Sequence, residues 1–166
     1  MKHPSCVRLI PALCGRPQAE AEVNGSTGYP GISGRVRFYQ TNDGAVVYAE
    51  VTGLPEGEQP CGGEIFGFHI HQGEDCGGGG EGAFPHAMGH YDPAGCRHPG
   101  HAGDMPPLFG NGGLAVSAFL TDRFTVEEVI GRVVIIHDHP DDFTTQPSGN
   151  SGEMIACGVI RRAEGE

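Results

Sequence analysis

The chain has 166 residues with Gly 29, Pro 13 and a formal net charge of −11: one domain in size, able to bury roughly two-thirds of its unfolded surface, and too rich in Gly and Pro for long helices. Its acidity disfavours nucleic acid and anionic membrane as partners, and no window holds the ~18 consecutive apolar residues of a membrane span. Six cysteines without a CxxC pair leave out a disulfide-built miniprotein, a zinc ribbon and a thioredoxin-type motif.

Residues 1–18 lack periodicity and read as an N-terminal extension of unknown conformation, with residues 19–166 as the domain. The apolar stretch Val7 to Leu13 is broken by Arg8 and Pro11, so no secretory signal is expected and the location predicted is cytoplasmic. Arg35-Val36-Arg37-Phe38-Tyr39-Gln40 alternates polar and apolar, Asn42-Asp43-Gly44 is a turn signal, and Ala45 to Val51 follows. Two such runs joined by this turn predict a hairpin. Ile65 to His71 is the next predicted strand. Residues 72–113 are dominated by Gly, Pro, His and Asp and hold four of the nine histidines. A loop of that length inside a compact domain is functional or disordered, and the histidines favour function.

Leu114 to Leu120 alternates again, and Thr125 with Glu128 three residues on marks a short capped helical turn. Arg132 to His137 reads as a buried strand, residues 138–152 as a second polar loop, and Met154 to Ile160 as the last strand. Short strands, long loops and no internal repeat predict an all-β sandwich or barrel of seven or eight strands.

Within Phe68-His69-Ile70-His71, residues two apart on a strand face one way, so His69 and His71 can present imidazoles to one ion. Alone this pair is a weak signal and reads more readily as two half-buried strand histidines. His90, His98, His101 and Asp104 fall within fifteen residues, a donor set suited to a closed tetrahedral zinc site. His137 ends a run of four apolar β-branched residues and is ordinarily structural in that position. His3, His86 and His139 read as solvated.

Taken together, Gly67-Phe68-His69-Ile70-His71, Gly89-His90-Tyr91-Asp92-Pro93, His101-Ala102-Gly103-Asp104, Gly131 to His137 and Ala156-Cys157-Gly158-Val159-Ile160 resemble the copper/zinc superoxide dismutase family. They follow that family's order over about residues 20–160. The resemblance implies a Greek-key β-barrel or sandwich of about eight antiparallel strands with two long functional loops. It implies copper on His69, His71, His90 and His137, and zinc on His90, His98, His101 and Asp104, with His90 bridging. Imidazole suits both ions, and the single carboxylate falls to the redox-inert one. His90 and His137 are the catalytic candidates, the bridging His90 supplying a proton while copper cycles and superoxide becomes dioxygen and hydrogen peroxide. Asp141 matches the aspartate that orients one copper and one zinc histidine. Cys76 and Cys157 match the family's intrachain disulfide. The implied partner is superoxide, and a homodimer is one form such a chain could take.

Three departures bear on function. Met154 stands where the family carries an arginine beside the open copper position, and methionine offers neither charge nor donor to a superoxide anion. It either fills space on the strand or brings a thioether near copper, favouring Cu(I). Arg97, in the zinc loop, is a candidate replacement charge. The zinc loop is short, with only Pro99 and Gly100 between His98 and His101, and the polar loop carries Thr144, Thr145 and Gln146 in place of charges. Cys61 and Cys96 could form a second disulfide, or Cys96 could be a free thiol. The function expected is superoxide dismutation with reduced electrostatic guidance; the alternative is a non-catalytic copper/zinc-binding protein, for storage or structure, on the same scaffold.

Overall fold

The computed structural model describes residues 9–57, 64–77 and 84–164, and within them the period-two stretches of the sequence form antiparallel strands. In chain order these are β1 (Ala19–Gly25), β2 (Ser33–Thr41), β3 (Gly44–Thr52), β4 (Ile65–Phe66), β5 (Phe68–His71), β6 (Leu108–Asn111), β7 (Leu114–Thr121), β8 (Val133–His137) and β9 (Met154–Arg162). They lie in the order β4-β6-β7-β3-β2-β1-β9-β8-β5. The two ends of this order, β4 and β5, are one chain segment divided at Gly67. The sheet therefore returns on itself as a nearly closed Greek-key barrel.

Alternate residues fill the interior. Val36 and Phe38 of β2, Val47, Ala49 and Val51 of β3, Phe68 and Ile70 of β5, and Val134 and Ile136 of β8 share one buried cluster. Each large side chain there contributes about 1.5–3 kcal/mol by leaving water. The outward residues of β8, Val133 and Ile135, are also fully buried, packed with Phe84, Ala87 and Cys157 in a second cluster. Both faces of β8 are covered because the long loop after β5 lies over its outer side. That explains its unbroken apolar run.

The predicted hairpin joins β2 to β3, with Thr41 paired to Gly44. The predicted capping pair precedes a short helix α2 (Val126–Val129), where Glu128 Oε2 accepts from the Thr125 N–H at 2.7 Å and its hydroxyl at 2.8 Å. Nine strands stand against the about eight expected. β6 forms inside a stretch read as loop, and β1 forms from an Ala-Glu-Ala-Glu-Val run that carries no apolar signal. Part of the segment read as an extension is a short helix α1 (Leu9–Leu13), lying against β2, β3 and β7. Gln18 joins the sheet through N–H to the Phe38 carbonyl at 2.9 Å.

Candidate metal centre

Because Phe68 and Ile70 point inward, His69 and His71 point out of the barrel, beside His137 of β8 and beneath the long loop. That loop runs back along the free edge of β5 through bridges between His71 and His90 and between His69 and Asp104. Its approach is close. The Ile70 N–H reaches the Gly103 carbonyl at 2.9 Å, and a Cβ on Gly103 would sit 2.2 Å from the Ile70 oxygen. Only glycine fits there.

Two groups of four donor atoms result, each lying within 4.8 Å of one another: His69, His71, His90 and His137, and His90, His98, His101 and Asp104. All seven side chains are buried, and His90 belongs to both groups. In the first, His71 Nε2 and His137 Nε2 are 3.3 Å apart. In the second, Asp104 meets His90 Nδ1 at 2.7 Å, His98 Nδ1 at 3.1 Å and His101 Nδ1 at 3.3 Å.

The far sides of the rings are tied down. Asp141 Oδ2 accepts from His69 Nε2 at 2.8 Å and Asp141 Oδ1 from His98 Nε2 at 2.9 Å. His71 Nδ1 donates to the Met88 carbonyl at 2.7 Å. These bonds fix tautomers and aim the opposite nitrogens into the two groups. His69 Nδ1, His90 Nε2 and His98 Nδ1 are buried without a hydrogen-bond partner. Such orphaned imidazole nitrogens are costly unless something binds them, and unprotonated nitrogen is a metal donor. The arrangement fits two cations sharing one ring, one held by four imidazoles and one by three imidazoles and a carboxylate.

Protonation follows the same geometry. Burial, with repulsion from neighbouring rings, lowers His69 and takes His71 well down, and brings His137 to about 3. Burial alone would raise Asp104, but His90, His98 and His101 bring it to about 2. Asp141 is likewise lowered against burial, by His69, the Phe143 N–H and His98. Neutral rings and ionised carboxylates are the forms that ligate metal.

A cavity of about 560 Å³ opens over the first group, walled by His71, His90 and His137, by Met88 and Met154, and by the carboxylates Asp92 and Glu153. Met154 lies directly opposite His137 across the β8–β9 ladder. Among the described residues lining this cavity there is no Lys or Arg, and the exposed Arg97 is not one of them.

Two supports had no motif to reveal them. The Arg123 guanidinium donates to the Pro99 carbonyl at 2.8 Å, the His101 carbonyl at 3.2 Å and the Asp104 carbonyl at 3.4 Å. Gln146 brackets His98, accepting from its N–H at 3.0 Å and donating to its carbonyl at 2.6 Å. Cys76 and Cys157 are joined in a disulfide with Cα atoms 5.8 Å apart. Cys96 is an exposed free cysteine, and Cys61, its suggested partner, lies outside the described residues. His86 and His139 are exposed and pair with Asp75 and Asp138.

The family model for copper/zinc superoxide dismutase matches residues 32–160. The chain is similar to the Cu-Zn superoxide dismutase of Legionella pneumophila, 36% identical over 140 residues, 80% of each chain. It is 32% identical to Cu-Zn superoxide dismutase 2 of Aquifex aeolicus over 159 residues, 87% of this chain and 86% of that one. It is also 32% identical to the Cu-Zn superoxide dismutase of Deinococcus radiodurans over 165 residues, 89% of this chain and 86% of that one.

Proposed function

The chain belongs to the copper/zinc superoxide dismutase family, a copper- and zinc-using oxidoreductase, and on that premise we propose that it dismutates superoxide at His69, His71, His90 and His137, with zinc on His90, His98, His101 and Asp104. The observation that carries this assignment is the sharing of one ring, His90, by two buried four-donor groups. The all-imidazole group would hold copper, and the group containing Asp104 would hold zinc. Bound copper supplies a one-electron couple, and zinc a fixed positive charge. Two superoxide anions and two protons give one dioxygen and one hydrogen peroxide. The chain's part is to aim the rings and to handle a proton. His90 Nε2, on the cavity side, is the atom at which this chain would hold and release one. Asp141 would keep His69 and His98 in one orientation throughout.

Guidance of the anion is weak. Met154 stands beside His137 where a guanidinium would help, Asp92 and Glu153 share the cavity wall, and the net charge is −11. Repulsion of this kind is screened by salt, so turnover should hold steady or rise with ionic strength. Pulse radiolysis of the copper- and zinc-loaded protein tests the assignment against His137→Ala. Equal decay rates for the two would reject the enzyme reading in favour of non-catalytic metal binding, the alternative favoured by a cavity wall with no Lys or Arg among its described residues. Met154→Arg should raise the rate on the order of tenfold through steering, and an unchanged rate would remove Met154 as the cause.

No helix among the described residues is long and apolar enough to cross a membrane. The cytoplasmic location expected from the N-terminal sequence meets one opposing observation, the Cys76–Cys157 bridge, a bond that persists in oxidising surroundings. Thiol labelling of protein taken from its own cells decides between them. A homodimer would form through the outer face of β6 and β7, where Phe109, Leu114, Val116 and Leu120 are exposed, and sedimentation of Val116→Glu against the parent tests it.

A further inference from the structure

We propose that Met88 and Met154 form a thioether pair at the mouth of the cavity that captures copper as Cu(I) and passes it to His71 and His137. This rests on the copper reading of those histidines and adds two soft ligands that the imidazole and carboxylate set lacks.

Placement comes first. Met154 faces His137 across the β8–β9 ladder, and the Met88 carbonyl accepts from His71 Nδ1 at 2.7 Å. His71 Nε2 and His137 Nε2 are themselves 3.3 Å apart. Each methionine thus neighbours one of the two converging imidazoles, Met88 through its backbone and Met154 across the ladder, and both line the cavity.

Met88 is not there for packing. The residue is 59% exposed, and its φ of 62° lies in the left-handed region that favours glycine. A residue of this type gains nothing from backbone preference in that conformation, and little from burial when it stands in solvent. What it keeps is the thioether.

The charge around the opening selects the guest. Asp92 and Glu153 line the cavity, and no Lys or Arg among the described residues lines it, so a cation is drawn in and an anion is not. Thioether sulfur is soft and neutral and selects Cu(I) over zinc, which prefers imidazole, carboxylate and thiolate. Capture is ligand exchange only. Cu(I) leaves the ligand that delivered it, binds sulfur, then exchanges sulfur for the imidazole nitrogens, with no change of oxidation state.

The full-length zinc-loaded protein, free of copper, is titrated anaerobically with Cu(I) against bicinchoninate, alongside the Met88→Leu/Met154→Leu double variant. Leucine keeps the volume and removes the sulfur. The double variant should take up Cu(I) from bicinchoninate about tenfold more slowly at the same final affinity, and in the His71→Ala/His137→Ala background, where transfer cannot follow capture, X-ray absorption should find sulfur around Cu(I) that the two leucine changes remove. A slowing of less than about threefold, or no sulfur in that background, overturns the proposal. The electron paramagnetic resonance of Cu(II)-loaded protein reports the imidazole set separately and should be the same in parent and double variant. If that signal were indifferent to His137→Ala, the copper assignment itself would fall, and this proposal with it.

Discussion

Asp141 divides its two oxygens between His69 and His98, so one side chain orients a ring in each group. Its own place is guarded by Gly149, at φ 71°, where a Cβ would lie 2.0 Å from Asp141 Oδ1. Asp141→Asn leaves one oxygen and puts an NH2 where the other imidazole N–H must be accepted. Metal affinity should fall about 10- to 100-fold, read by chelator competition and by the visible spectrum of cobalt placed in the zinc position; unchanged affinity would deny Asp141 its orienting role. Protonation supplies a second expectation at this scale. His137, held at about 3 mainly by burial, would take a proton near 6.5 in the unfolded chain. The unfolded state therefore binds more protons across that interval, and stability falls as pH drops from about 6.5 toward about 3. Asp104, held at about 2, acts in the same direction lower in the range, its contribution present above ~4 and lost as pH falls toward its folded value. The urea midpoint of the metal-free protein should decline steadily below about pH 6.5, and a flat profile to about pH 4 would contradict the burial of these rings.

The element that matters most to the candidate centre is the loop between β5 and β6. Its path is held by bridges to β5 and by Arg123, whose guanidinium gathers the Pro99, His101 and Asp104 carbonyls beside the second four-donor group. Arg123→Ala should speed zinc release about tenfold while leaving copper-side spectra unchanged, measured by transfer of zinc to a chromophoric chelator; Arg123→Lys, with its single point of contact, should rescue only part. No motif marks this arginine, because its partners are carbonyls twenty or so residues away that come near only once the loop is folded. β1 was hidden for a related reason. Alanine and glutamate have little preference for strands, and Ala19 to Gly25 is a strand because β2 and β9 offer their edges on either side. β6 has one apolar pair, Leu108 and Phe109, before a glycine. What could be read directly was what repeats at short range: the alternation of β2, β3 and β7, the two-residue spacing of His69 and His71, and the dense His90 to Asp104 run. The closeness of His137 to these, and of Met88 to His71, depends on strand order and loop path.

Across the whole molecule, the Cys76–Cys157 bond closes a separation of 81 residues, tying the start of the long loop to β9. In the chain-entropy account such a closure contributes roughly 4 kcal/mol. Reduction should lower the urea midpoint accordingly, and should loosen metal retention as well, since the cluster of Phe84, Ala87, Val133 and Ile135 under the loop surrounds Cys157. Denaturation of the zinc-loaded protein with and without reductant separates the two effects. The net charge of −11 acts over the same scale on every encounter with an anion.

Gly67 is where the ribbon of strands meets itself. The residues before it pair with β6, those after it pair with β8, and the seam is stitched by the Gly67 N–H to the His139 carbonyl at 2.8 Å and the His137 N–H to the Gly67 carbonyl at 2.9 Å. Two of the residues just past the seam are His69 and His71. An ion clamped to His69, His71 and His137 therefore rivets β5 to β8 from outside, over the ladder that already joins them, and its loss leaves that join to backbone hydrogen bonds alone. Deuterium should enter there first in the stripped protein and last in the loaded one.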